Sequence, residues 1–417
     1  MIDSIEKSRV LAACAIVLAA MNSCAWGQNS FAAMTLSVSA DFDGGCALVE
    51  SIDQEARVIR FRPEAYPDEG WAYWWYMHVD GIQPGETITL ELGGKHGRFA
   101  HPEQAHFSLD GKTWNRTPMG VREKERITYR VKIDAAEAWF AWGPPFLPGD
   151  ATELVERLAT IAPFAEAFEL TKSREGRSVP GLRFSAGADA ETPRYGIWIQ
   201  ARQHAWECGG SWVARGLAEW LVSDDPRART LREKADIVLV PLMDVDSVAM
   251  GSGGKGQKPR DHNRDWDDAP HWPEVRAAMA EIDRMHAETG VDLFLDLHSP
   301  GMYDPETYYL TSARATGTEA GKRNLQRFLD ASHAEMTGPL KLRAEQKVAD
   351  RKYSSGWQTM SQNWVTARTN RQALSFTLEA AWNNPDSTPE GYMTLGRQLG
   401  LAIERYLRVD PRDADRI

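Results

Sequence analysis

Residues 195–207 read YGIWIQARQHAWE. The first seven, Tyr195 to Ala201, form a short run rich in β-branched and aromatic side chains, as expected of a buried strand. The run leads directly into Arg202-Gln203-His204-Ala205-Trp206-Glu207, so an imidazole and a carboxylate follow its carboxyl end. Two more expected strands end in the same way: Val291 to Leu297 runs into His298, and Ala373 to Leu378 runs into Glu379. A fourth strand is expected over Asp236 to Leu242. Helices are expected over Thr152 to Phe168, Ser211 to Val222, Glu274 to Thr289, Glu319 to Thr337 and Glu390 to Leu407. Strands alternating with helices predict an α/β fold, a mixed sheet with helices on both faces. In such sheets, binding sites collect at the carboxyl ends of the strands.

Upstream the pattern changes. Arg57 to Phe61, Trp71 to Val79, Glu86 to Leu92, Arg126 to Ile133 and Ala138 to Trp142 are short β-rich runs. Pro84-Gly85, Gly93-Gly94 and Asp110-Gly111 supply turns between them, as in a small antiparallel β-sandwich. Pro144-Pro145 and Pro148-Gly149 mark a boundary, which gives a sandwich domain over 35–146 and a larger domain over 150–410. In the aromatic run Trp71 to Tyr76, strand alternation buries about half the rings, so core packing is favoured over a sugar-stacking platform.

The first residues read as a targeting signal. Arg9 precedes the uncharged run Val10 to Met21, shorter than the roughly 20 residues a bilayer-spanning helix needs, and Ala25-Trp26-Gly27 offers a cleavage site. A signal peptide over 1–27 predicts export to the periplasm or medium, with no stable membrane insertion afterwards. Acylation at Cys24 as a lipoprotein is disfavoured by Met21-Asn22-Ser23 ahead of it. Cleavage removes Cys14 and Cys24 and leaves Cys46 and Cys208, which are expected to be free thiols. With 48 Lys+Arg against 59 Asp+Glu, the net charge of -11 argues against nucleic acid as a partner.

His204 and Glu207, three residues apart, can aim a nitrogen and an oxygen at one point, and His298 from another strand end can complete the set. Two imidazoles and a carboxylate make a three-ligand zinc site with its fourth position open, the arrangement of a catalytic rather than a structural metal. Glu379 follows an apolar strand, where a carboxylate is costly to bury without a partner or a task, and beside such a site its task is general base. Between these lie a glycine-rich stretch, 251–256, and Asp261-His262-Asn263-Arg264-Asp265. The guanidinium of Arg264 matches a carboxylate bidentately and Asn263 adds a neutral donor, so the pair is a candidate anchor for a substrate carboxylate. The competing reading for Arg264 is a loop ion pair with Asp261 or Asp265. His262 and His271 are taken as loop residues rather than ligands.

His204-x-x-Glu207, Asn263-Arg264, His298 and Glu379, in that order, resemble the zinc carboxypeptidase family, whose fold is an α/β sheet with a funnel-shaped site. Ser173 to Phe184 (SREGRSVPGLRF), ARQHAWE from Ala201 and SFTLEAAW from Ser375 resemble its cytosolic-carboxypeptidase subfamily. Trp74-Trp75-Tyr76, IQPGETITL from Ile82 and WFAWGPPF from Trp139 resemble the β-sandwich that precedes the catalytic domain there. The resemblance implies that His204, Glu207 and His298 hold one zinc ion per chain, that Asn263 and Arg264 hold the substrate's terminal carboxylate, and that Glu379 activates water. The sequence departs from the family at Ala205-Trp206, where Pro-Gly is common, and at Met243-Asp244-Val245-Asp246, where Asn-Pro-Asp-Gly is common. The family's carbonyl-polarising arginine has Lys255, Lys258 and Arg260 as candidates, and its catalytic tyrosine has Tyr353.

The expected function is therefore that of a zinc metallocarboxypeptidase, a hydrolase acting on the C-terminal bond of peptides or protein tails. A zinc amidase, deacylase or cell-wall peptide hydrolase could use the same site. A polymer-binding protein with an inactive centre is the alternative from another class, disfavoured because ligands and base are all present.

Overall fold

The computed structural model describes residues 34–412 apart from 95–98, 186–193, 302–303, 316 and 370–372. The segment read as a signal peptide, with Cys14 and Cys24, lies outside the described residues. From Thr35 onward the chain forms one compact unit.

The first half of the N-terminal region holds β1 (Ser37–Ser39), β2 (Leu48–Asp53), β3 (Val58–Arg62), β4 (Tyr76–Asp80) and β5 (Glu86–Leu92). The second half adds β6 (His106–Ser108), β7 (Asn115–Arg116), β8 (Val121–Glu123), β9 (Arg126–Ile133) and β10 (Glu137–Ala141). They form two sheets, ordered β1-β4-β10-β6-β7 and β2-β3-β5-β9-β8. Neighbouring strands run antiparallel, save that β3 and β5 run parallel. Alternation decides which side chains turn inward: β9 buries Ile127, Tyr129, Val131 and Ile133 and leaves the residues between them wetter. These meet Met77, Val79 and Phe140 of the other sheet in one apolar core, so the pair is a sandwich.

The expected strand Trp71 to Val79 begins only at Tyr76. Trp74, Trp75 and Tyr76 are core residues, as expected of the aromatic run, but Trp71 stays 44% exposed.

Beyond the sandwich come α1 (Pro148–Ile161), β11 (Ala165–Lys172), β12 (Ser178–Phe184), β13 (Tyr195–Ala201), α2 (Gly209–Val222), α3 (Pro226–Lys234) and β14 (Ala235–Val240). Then follow α4 (Val245–Met250), α5 (Pro273–Glu288), β15 (Leu293–His298), β16 (Tyr308–Ser312) and α6 (Glu319–Glu335). The chain closes with β17 (Lys347–Ala349), α7 (Ser361–Arg368), β18 (Leu374–Glu379) and α8 (Pro389–Tyr406). The eight strands of this part make a mixed sheet, ordered β11-β12-β14-β13-β15-β18-β16-β17. Its centre, β14-β13-β15-β18, is parallel. Every residue of β13, β15 and β18 is buried, so both faces of the sheet are covered.

One expected helix is shorter than its sequence suggests. Thr152 to Phe168 was expected to be helical throughout, yet α1 ends at Ile161 and Ala165–Lys172 is an edge strand. Its residues, AEAFELTK, include good helix formers, and pairing with β12 overrides that preference.

Candidate active site

Register builds the site. β15 and β18 are neighbours, and His298 and Glu379 are paired across them, so both side chains arrive at one carboxyl edge. On the other side of β15, Ala201 of β13 pairs with Leu297, which starts the loop carrying His204 and Glu207 level with His298. Arg202 turns that loop. Its φ of 68° lies in the left-handed region, where a non-glycine residue is strained, and its buried guanidinium donates to Ala205 O at 2.6 Å and Phe146 O at 3.2 Å.

His204, Glu207 and His298 converge, with one ligand atom from each all within 4.8 Å of one another. Nδ1 of His204 lies 2.8 Å from Glu207 Oε1, Nδ1 of His298 lies 2.7 Å from Glu207 Oε2, and the two Nδ1 atoms are 3.1 Å apart. All three residues are buried. Burial opposes ionisation of Glu207, but the two imidazoles outweigh it and hold the carboxyl below its usual range. Two nitrogens and a carboxylate facing one point in a buried pocket fit a zinc ion.

Each imidazole also has a carboxylate behind it, which the sequence reading missed. His298 Nε2 lies 3.0 Å from Asp296 Oδ2, and His204 Nε2 lies 3.4 Å from Asp261 Oδ1. Such outer partners fix the ring and direct the other nitrogen toward a metal. Asp296 could have been found, since it stands two residues before His298 and so projects from the same face of the strand. Asp296 is held in turn by Gln203 and by Ser361, whose Oγ donates at 2.6 Å.

Glu379 is 6% exposed, and among the described residues no hydrogen bond reaches its carboxylate. Burial, reinforced by the charge of Glu207 and opposed by His298 and Lys255, pushes it up to about 8. A cleft of about 230 Å³ joins it to His204, Glu207, His298, Asn263, Arg264, Lys255 and Tyr353, whereas Lys258 and Arg260, the other two candidates for the polarising cation, do not line it. Asn263 Nδ2 lies 3.3 Å from His298 Nε2, and Arg264 donates to Asn263 O at 2.8 Å. The loop ion pair considered for Arg264 does not form, because Asp265 is engaged by Arg260 and by the backbone of His271 and Trp272. That pairing draws Arg260 away, while Lys255 places Nζ 3.3 Å from His204 Nε2. His262 stacks on Trp272 between Asp244 and Glu274, and neither it nor His271 joins the cluster.

Trp206, one of the departures at Ala205-Trp206, has a structural explanation. It is buried against Trp142 and Trp382 and belongs to the apolar core of the sandwich, so it pins the ligand loop to that domain. Cys46 and Cys208 are free and buried.

Residues 152–399 match the zinc carboxypeptidase family, and residues 38–142 match the cytosolic carboxypeptidase N-terminal domain. An uncharacterised protein of Zymomonas mobilis is 28% identical over 271 residues, 64% of this chain and 68% of its own length. Cytosolic carboxypeptidase 2 of Danio rerio is 28% identical over 256 residues, 54% of this chain but only 35% of that longer protein. A metallo-carboxypeptidase structure from Burkholderia cenocepacia superposes with a TM-score of 0.78 at 24% identity, covering 90% of this chain and 99% of that one. A metallo-carboxypeptidase from Pseudomonas aeruginosa, in complex with (2-guanidinoethylmercapto)succinic acid, gives 0.73 at 25% identity over 88% and 98%. With more than half its length matched and the ligand cluster in place, this chain belongs to the zinc carboxypeptidase family.

Proposed function

We propose that the protein is a zinc metallocarboxypeptidase that releases the C-terminal residue of peptides or protein tails, with one zinc ion per chain on His204, Glu207 and His298. The observation that carries this reading is the convergence of those three ligand atoms in a cleft that also holds a desolvated carboxylate and an arginine with no carboxylate partner among the described residues. Zinc bound there would polarise the scissile carbonyl and acidify a water. Arg264, with Asn263 beside it, receives the terminal carboxylate as a bidentate partner. Glu379, whose affinity for a proton is raised by burial, takes a proton from water and passes it to the leaving amine. Lys255, which lines the same cleft, would serve as the cation for the carbonyl oxygen, and Tyr353, also in the lining, would contact the released residue.

Residues 150–410 then act as the catalytic domain, with 35–146 as a sandwich buttressing the ligand loop. The N-terminal run Val10 to Met21 supports export, which expression with and without residues 1–27 followed by fractionation tests directly. The decisive experiment on function measures zinc content and C-terminal residue release from a peptide panel. Release by the wild type, with Glu379→Gln retaining zinc but losing release, supports the assignment; a zinc-free protein sinks it.

A further inference from the structure

The aromatic run Trp71 to Tyr76 divides sharply. Trp74, Trp75 and Tyr76 fill the sandwich core, whereas Trp71 is 44% exposed and lines the catalytic cleft. We propose that Trp71 determines specificity: its part-exposed indole receives the side chain of the residue preceding the one released, and favours an apolar or aromatic one. The inference rests on the carboxypeptidase reading above.

Trp71 is rigidly seated. Its backbone N–H donates to Lys255 O at 2.9 Å, while Gly254 donates to Glu69 O at 3.2 Å and Lys258 to Asp68 O at 2.8 Å. The sandwich segment 68–71 is thereby zipped to the loop 254–258. That approach needs glycine: a Cβ at Gly253 would lie 1.9 Å from Trp71 O, and one at Gly256, whose φ is +77°, would lie 2.9 Å from the indole Nε1. The glycine-rich stretch singled out in the sequence is thus the bed on which Trp71 lies. Tyr73 packs beside it at 5.3 Å, Phe99 stacks on Tyr73 at 4.8 Å, and Trp206 meets Phe99 edge-on at 6.1 Å, so the wall is continuous. The indole N–H of Trp206 has no partner among the described residues.

Position relative to the ligand cluster supplies the direction. Asn263 lies beside His298, and Arg264 donates to the Asn263 carbonyl. Lys255 and Trp71 lie on the His204 flank, with Lys255 Nζ 3.3 Å from His204 Nε2 and 5.9 Å from the centroid of the Trp71 ring. A peptide anchored by its carboxylate on Arg264, with its last peptide bond over the cluster, reaches Trp71 by running past Lys255 along the same cleft. One extended residue advances about 3.5 Å, which brings the next side chain onto the indole.

The test uses peptides that differ only at the residue before the released one: Phe or Leu against Gly. For the Phe and Leu peptides, Trp71→Ala is expected to raise KM by about tenfold, the scale of one buried aromatic contact, with kcat within about twofold and the Gly peptide unaffected. Trp71→Phe should restore most of the preference, and Trp71→Glu should move it toward Lys and Arg. Calorimetry of the same peptides on Glu379→Gln, with and without Trp71→Ala, should show the same ratio in Kd. Zinc content should match the wild type, whereas a merely structural role would affect all peptides alike. Equal selectivity in wild type and Trp71→Ala overturns the inference and leaves the enzyme assignment standing. Failure of the wild type to release a residue from any peptide overturns that assignment, and this inference with it.

Discussion

At the amino end of the central sheet, just before β15, Asp292 is buried and saturated. It accepts from Gly196 N at 2.9 Å and from Arg412 Nε and Nη2 at 2.9 and 2.8 Å. At the carboxyl end of the same sheet Glu207 is paired with two imidazoles and Asp265 with Arg260, but other buried carboxylates are left short of partners. Among the described residues, Asp296 Oδ1 and Asp244 Oδ2 have no hydrogen-bond partner and the Glu379 carboxylate accepts no hydrogen bond. An unpaired buried carboxylate destabilises a fold, so its presence marks the end where stability is sacrificed to chemistry.

Exchanging one carboxylate at each end should separate the two roles. Glu379→Gln should lower kcat/KM by on the order of a thousandfold, because it removes the group that moves the proton. Its melting temperature should be unchanged or higher, since a desolvated carboxyl that accepts no hydrogen bond among the described residues has gone. A large loss of stability in this variant would mean that Glu379 is structural.

Asp292→Ala should do the reverse. It removes the carboxylate from Arg412, which keeps Thr289 O and Arg194 O, and strands the Gly196 N–H, at a cost of about 2 kcal/mol, visible as a lower urea midpoint. The kcat/KM of the folded enzyme should stay within about twofold of wild type. If activity falls more than stability, the two ends are not functionally separate.

Asp296→Asn sharpens the comparison within the carboxyl end, because Asp296 is partly used: one oxygen holds His298, Ser361 and Gln203, and the other is bare. Loss of the charge behind the imidazole should weaken zinc binding by about 10- to 100-fold, measured by competition with a chelator. An unchanged affinity would show that His298 is oriented by packing alone.

The same contrast explains what could be read from the sequence. His204, Glu207, His298 and Glu379 were legible because a polar residue ending an apolar strand needs a reason to be there, and register then brings such ends together. Asp261 and Lys255 were not assignable, because their loop takes its shape from residues far away in the chain. Segment 68–71 of the sandwich pairs with 254–258, and no local pattern encodes that contact. The edge strand β11 was misread for a related reason, its residues being good helix formers that are held extended only by β12.

Asp244 gives the subtlest test, one in which pH itself reports on the difference. It follows β14, Ser247 N donates to one of its oxygens at 3.1 Å, and burial, opposed chiefly by His262, pushes it up to about 6 from an ordinary 3.8. A carboxyl whose folded value exceeds its unfolded value binds its proton more tightly when folded. Its cost to stability is therefore absent below about pH 4, grows as pH rises to about 6, and is constant above that. Asp244→Asn keeps an oxygen for Ser247 N and removes the charge. The variant should match the wild type at low pH and exceed it by about 1 kcal/mol at neutral pH, a figure kept small because His262 loses a partner. Urea midpoints measured across that range decide the matter: a gap that opens with rising pH identifies Asp244 as one of the costly carboxylates of the catalytic end, whereas a gap of opposite sign places it with Asp292 among those that hold the sheet together.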